Sequence, residues 1–496
     1  MAYMPAGRQL GRAIVLAAAI AAAATPALAQ ESLQAPRWDE AIRMPEAPDL
    51  NPDPHIVEIE LEARVEPFEV EPGLIVDAWT YNGMIPGPMI RVNVGDRLIV
   101  HFTNSLPDPS TIHYHGLRIP IAMDGVPGYS QDPVKPGESF TYDYVVPDAG
   151  IFWYHPHVMS AMQVGFGLYG AFWVEDPAEA ETVAVEDELV ILLSDMAVNK
   201  QGELEDPNSG GSAGMAFGRE GNHVLVNGKK TPQLLARSGA PQRWHIINAA
   251  KSRYYKLDLG AGFTFTRIGG DGGLLEYSVE EDFLVLGVGE RADVIITPRG
   301  ASGEELMLRS QLHDRGYGST ELRSIQDLVA ITITDQPEYA GSPLPEVQLT
   351  IVPYSAEGTI RREMELTLDQ DAITKRFEYG FDKVPYWKAR PILADLGDTQ
   401  IWTINNTTPW SHPLHLHGFF FMVLDENEEP VRPYEWKDTV DVPFKETRRL
   451  LVRFGERPGT WLFHCHILDH AAGGLLTAVH LALPIEDFKP FGAGAH

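Results

Sequence analysis

One cysteine stands among 496 residues, and that scarcity is the first constraint on the chain. A lone thiol rules out an intrachain disulfide, so stability must come from packing and from whatever the folded chain binds. Positive charge is also short, with 39 Lys and Arg against 69 Asp and Glu and a net charge of −30. Such a surface repels nucleic acid and anionic membranes and attracts cations, while most of its carboxylates serve solubility. Long apolar runs are missing beyond residue 29, so no later stretch spans a membrane. Segments with helical periodicity are few.

At the start of the chain, Arg8 and Arg12 precede an apolar run over residues 13–24, followed by Ala27-Leu28-Ala29 as a small-residue cleavage site before Gln30. The pattern predicts a secretory signal over residues 1–29 and an exported protein, periplasmic or secreted. A membrane anchor needs a longer apolar span, and the two arginines are too far apart for a twin-arginine signal.

What the chain has in quantity is turn residues, 45 Gly and 38 Pro in a sequence that is 44% hydrophobic. That composition suits an all-β protein with many turns. Alternating or short apolar runs at residues 56–65, 89–102, 189–193, 243–247, 283–286 and 449–454 read as strands. In three places a glycine is followed, after eight intervening residues, by an asparagine that ends a strand-like run: Gly95 and Asn104, Gly239 and Asn248, Gly397 and Asn406. Three copies of one β-domain are expected, at residues 50–178, 186–336 and 346–484. An Ala- and Glu-rich linker at 178–186 and a Pro-rich one at 336–346 separate them. The Gly- and Ser-rich stretch 206–222 reads as a mobile loop of the second copy.

Histidines follow the same repeat. Nine and eleven residues after the asparagine stand His113 and His115 in the first copy, His415 and His417 in the third, and Leu257 and Leu259 in the second. Gly150 is followed at five and seven residues by His155 and His157, and Gly459 by His464 and His466. In the middle copy Gly303 precedes Leu308 and Ser310 at those offsets, a weaker correspondence. Residues i and i+2 of a strand share a face, so each His-x-His offers two imidazoles to one side. One such pair is often just a solvent-facing strand; four at repeated offsets call for a metal. The lone Cys465 lies between His464 and His466, with His470 four residues beyond the second. A thiolate with imidazoles suits copper or zinc, and two His with one Cys is the trigonal set of a blue copper site. The histidines at 55, 101, 223, 245, 313, 480 and 496 have no such company.

With His113-Tyr114-His115-Gly116, His155-Pro156-His157, His412-Pro413-Leu414-His415-Leu416-His417-Gly418 and His464-Cys465-His466 with His470, the chain resembles the multicopper oxidases over residues 56–484. That family includes laccases, bilirubin oxidases and bacterial metallo-oxidases. The resemblance implies three cupredoxin-like Greek-key domains and four copper ions: one type 1, one type 2 and a type 3 pair. The type 1 ion would take His412, Cys465 and His470, and the type 2 ion His113 and His415. The type 3 ions would take His115, His155 and His466, and His157, His417 and His464, with the trinuclear cluster between the first and third domains. Cys465 would pass electrons to the cluster through its neighbours.

Asp124 resembles the family's acidic residue near the type 2 copper and is the expected proton donor; by itself it would read as an Asp-Gly turn. The position after the last ligand, a Glu in many bacterial relatives, is Ala471, which leaves a second proton route open. The axial position of the blue copper would be Leu475, where a missing thioether raises the reduction potential. Leu475 would equally serve as core. The partners implied are dioxygen and a small donor, a phenol or aromatic amine in laccase-like fashion. The alternative is metal-ion oxidation of Cu(I), Fe(II) or Mn(II), with Met159 and Met162 near the second motif read as packing. A non-catalytic copper-binding or cell-envelope structural protein is disfavoured because every ligand position is filled, and a two-domain nitrite reductase because the repeat count is three.

Overall fold

Strands dominate the chain in this computed structural model, which describes residues 32–183, 185, 187–316, 324–341, 347–485 and 488–490. The signal segment and residues 342–346 of the second linker lie outside the described residues. Six sheets form three two-sheet sandwiches, and the three share a topology. In each, the strand carrying the repeat pairs in parallel with an earlier strand: Arg97–Asn104 with Ile56–Glu71, Gln242–Asn248 with Asp187–Met196, and Thr399–Asn406 with Ile360–Gln370. The facing sheet of each holds a second parallel pair.

The repeated residues do the same job three times. Gly95, Gly239 and Gly397 turn the chain with φ of +90°, +79° and +85°, a region that L side chains avoid. Asn104, Asn248 and Asn406 are buried. Each accepts a hydrogen bond on its side-chain oxygen from the amide two residues on. Each donates to carbonyls across the turn, such as Val134, Leu286 and Val442. An Asx turn so anchored ends the strand and sets the departure angle of the segment that follows.

Several expectations change on inspection. Residues 89–102 are two strands, Gly87–Asn93 and Arg97–Asn104, broken at the Gly95 turn. The expected mobile loop at 206–222 carries a short helix, Gly211–Phe217. It is pinned because Tyr379 Oη donates to the Ala216 carbonyl (2.6 Å) and Arg219 forms an ion pair with Asp469. The Ala- and Glu-rich linker contains the helix Pro177–Thr182, with Asp176 accepting from the Ala178 amide at its start. Gly303 is not the counterpart of Gly150 and Gly459. Leu257 stands opposite Ser310, as His113 stands opposite His155 and His415 opposite His464. The equivalence therefore runs two residues later, to Ser310 and Leu312.

Each sandwich has its own apolar core, and a further cluster including Ile151, Trp153, Leu192, Met196 and Leu468 joins the sandwiches to one another. The segment before the first strand is a strap: Ile42 is buried in the middle core, and the Asn227 side chain donates to its carbonyl. Among the described residues no helix is long and apolar enough to cross a membrane.

Candidate metal centre

Strand register brings the histidines together. His113–His115 lies beside Gly150–His155, and His412–Leu416 beside Gly459–Cys465, with Leu414 opposite Cys465. Because side chains alternate across a strand, His464 and Cys465 point to opposite faces. Cys465 enters the apolar core of the third sandwich, while His464 and His466 turn to the histidines of the first.

Eight imidazoles gather there, all buried: His113, His115, His155, His157, His415, His417, His464 and His466. His115 stacks on His415 at 3.7 Å between ring centres and lies 4.8 Å from His466. His157 is 4.8 Å from His417 and 5.4 Å from His464, and His417 Nε2 approaches His464 Nε2 at 3.1 Å. His113 lies nearer to His417, at 4.0 Å, than to His415, at 5.9 Å.

The nitrogens fit a metal. His113 Nε2, His115 Nδ1, His415 Nε2 and both nitrogens of His466 are buried with no hydrogen-bond partner, an arrangement costing about 1–3 kcal/mol per group unless something binds there. For His113, His115 and His415 the opposite nitrogen is tied down. His113 Nδ1 donates to the Asp124 carbonyl (2.8 Å), His115 Nε2 to Asp438 Oδ1 (3.1 Å) and His415 Nδ1 to the Asp438 carbonyl (3.0 Å). Such outer bonds choose which nitrogen a metal meets. Burial holds His115, His415 and His466 below the ordinary imidazole range, so they are neutral and ready to ligate.

The second group is His412, Cys465 and His470, with ligand atoms mutually within 4.8 Å and all buried. Cys465 Sγ is 3.4 Å from His412 Nδ1 and 3.7 Å from His470 Nδ1. Their outer nitrogens are engaged, His412 Nε2 with Thr408 Oγ1 (2.7 Å) and His470 Nε2 with Tyr379 Oη (3.3 Å). Burial pushes His412 down to about 3 and the Cys465 thiol up, so a bound cation is what makes the thiolate. One sulfur with two nitrogens in a dry pocket is the donor set of blue copper.

Leu475 is fully buried in the same core cluster as Cys465, and its carbonyl accepts from the Cys465 amide (3.0 Å). Asp124 is buried against the cluster, accepting from His417 Nδ1 at Oδ2 (2.9 Å). Its Oδ1 lies 3.2 Å from His113 Nδ1, but that N–H is aimed at the Asp124 carbonyl and Oδ1 has no hydrogen bond. Ala471 brings no carboxylate. Met159 starts the short helix Ser160–Gln163, and Met162 packs on the first core. Sequence reasoning missed Asp438, Arg291, Tyr379 and Thr408, none of which belongs to a repeated motif. It also missed Gly289 of the middle sandwich, on which a Cβ would lie 3.0 Å from His115 and His466.

Models of multicopper oxidase domains match residues 64–179, 187–326 and 360–482. The chain is 30% identical over 455 residues to the multicopper oxidase MmcO of Mycobacterium tuberculosis, covering 83% of this chain and 84% of that protein. It is 29% identical over 472 residues to a laccase of Bacillus subtilis, covering 79% and 88%. A multicopper oxidase structure from Pseudomonas thermotolerans superposes with a TM-score of 0.72 at 31% identity, over 86% of this chain and 99% of that one. A metallo-oxidase from Campylobacter jejuni gives 0.77 at 26%, over 88% and 94%. The three sandwiches are thus cupredoxin-like domains. Copper is the cofactor that these nitrogens and the one sulfur are arranged to hold, and the chain belongs to the multicopper oxidase family, copper-dependent oxidoreductases with dioxygen as electron acceptor.

Proposed function

We propose that the donor is a small aromatic molecule, a phenol or an aromatic amine, oxidised in laccase-like fashion. Bound copper supplies the redox chemistry, four one-electron oxidations at the His412, Cys465 and His470 site and the reduction of dioxygen with four protons to two waters at the histidine cluster. The observation that carries the donor class is the covering of the His412, Cys465 and His470 site. Both histidines are buried, so a donor meets the side chains above them. Phe217 is 46% exposed and lies 4.7 Å from the ring of Trp410. Thr408 Oγ1 donates to the Trp410 carbonyl (3.0 Å) and accepts from His412 Nε2. An aromatic ring stacks on such a surface, and a strongly oxidising site with Leu475 at the axial position suits a phenol.

The ligand roles in this reading are those implied by the resemblance, with His113 and His415 on the type 2 ion and the remaining six cluster histidines on the type 3 pair. Asp124 Oδ1, buried and not hydrogen-bonded, is the atom that would carry a proton to the cluster. Residues 1–29 would direct export to the periplasm or beyond, and amino-terminal sequencing of exported protein should begin at Gln30. Oxygen uptake on a phenol and on Cu(I) tests the donor class. Faster turnover of the phenol, with KM raised in Phe217→Ala, is expected. Faster turnover of Cu(I), indifferent to Phe217→Ala, would establish the metal-ion reading instead.

A further inference from the structure

The middle domain supplies no ligand, yet it sends one side chain to the edge of the cluster. Arg291, on the strand Arg291–Ile296, is fully buried and uses its guanidinium on all three domains. Its Nε donates to the carbonyl of Ile151 (3.1 Å), on the first-domain strand that ends at His155. Its Nη1 donates to the Gly289 carbonyl (3.1 Å) and to Asp438 Oδ1 (2.7 Å). Its Nη2 donates to the Asp271 carbonyl (2.8 Å) and to Asp438 Oδ2 (2.5 Å).

Asp438 comes from the third domain and passes the grip on. Its Oδ1 accepts from His115 Nε2 (3.1 Å) and from Thr439 Oγ1 (2.8 Å), and lies 3.3 Å from His415 Nδ1, whose N–H is taken by the Asp438 carbonyl. The space is reserved for this contact: a Cβ on Gly116, where φ is +92°, would lie 2.5 Å from Arg291 Nη2 and 2.6 Å from Asp438 Oδ2. The glycine of the first histidine motif therefore makes room for a residue of another domain.

We propose that Asp438, held by the two-pronged grip of Arg291, is a positioning residue for the copper cluster, fixing His115 so that Nδ1 faces the metal and His415 so that Nε2 does. An imidazole has two nitrogens, and a hydrogen bond to one decides which the metal receives. A buried guanidinium is costly unless it is fully paired, and here each of its nitrogens has a partner. The ligand-free domain thus sets the ligation of the other two.

The inference rests on the ligand roles given above, and the experiment separates the two. Wild-type protein and the variants Asp438→Asn, Arg291→Lys and Arg291→Met are loaded with copper and titrated with a chelator. Copper per chain, the type 2 electron paramagnetic resonance signal and the blue absorbance are followed. Outer-sphere partners are worth about 10- to 100-fold in metal affinity, so a loss of that size at the cluster is expected in Asp438→Asn, with an altered type 2 signal and the blue absorbance retained. Lysine keeps the charge but not the fork, so Arg291→Lys should behave as Asp438→Asn does. Variants with full copper and an unchanged type 2 signal would overturn the proposal. Loss of the blue site together with the cluster would also overturn it, by showing general structural support. Wild-type protein holding fewer than about four ions would refute the ligand roles themselves.

Discussion

Two buried residues beside the copper sites have opposite surroundings, and each predicts a measurement. Asp124 faces histidines, with no hydrogen bond on Oδ1. Asp124→Asn should lower oxygen uptake by about 10²- to 10⁴-fold, the usual worth of a placed proton donor. Anaerobic reduction of the blue site by donor should stay intact in that variant, and unchanged oxygen uptake would remove Asp124 from the proton supply. Leu475, at the position that the family resemblance makes axial, has a side chain of carbon only and is buried in the same core as Cys465. A thioether in its place stabilises the oxidised ion, so Leu475→Met should lower the potential in a redox titration by on the order of 60 mV, a tenfold change for one electron. A rise or no change would show that Leu475 is not axial.

Among the elements, the turn before the strand Arg291–Ile296 and the strand Thr439–Val442 carry the next tests. Gly289 has φ of +88°, and a Cβ there would lie 3.0 Å from His115 and His466. Gly289→Ala should cost about 1–2 kcal/mol of backbone strain and weaken cluster copper in a chelator titration, leaving the blue absorbance in place. Asp441 accepts from Tyr254 Oη (2.7 Å), and burial, reinforced by Glu290, pushes its carboxyl up to about 7. An unfolded aspartate titrates near 4. Between those values the folded chain keeps a proton that the unfolded chain has lost, so this group's contribution to stability falls as pH rises from about 4 to about 7. Asp441→Asn should remove that slope, seen as the difference between wild-type and variant melting temperatures across the window. Much of this scale was legible in the sequence, because the asparagine turn and the paired histidines are local and repeated. The middle-domain register was not. Gly303 imitates the offset of Gly150 and Gly459, but the pairing of Leu257 with Ser310 is set by strands 53 residues apart. Asp438 and Arg291 were equally hidden, since what gives them meaning is a contact across 147 residues.

For the whole molecule, copper held by the histidine cluster would become part of the packing between the first and third domains. Imidazole nitrogens left without partners at that junction mean that the metal-free protein should melt lower and recover on reloading. A site occupied at a hundred times its dissociation constant adds about 2.7 kcal/mol. Calorimetry with and without chelator measures it, and equal melting temperatures would show that the junction holds without metal. The pleat at His464 and Cys465 carries a different consequence. Because neighbouring side chains leave opposite faces of one strand, the span between the two centres is fixed by the bonds of a single residue step rather than by how the domains dock. Warming or mild denaturant that loosens the junction should therefore slow oxygen reduction while the internal electron-transfer rate, followed by flash reduction, stays level until the strand itself unpairs.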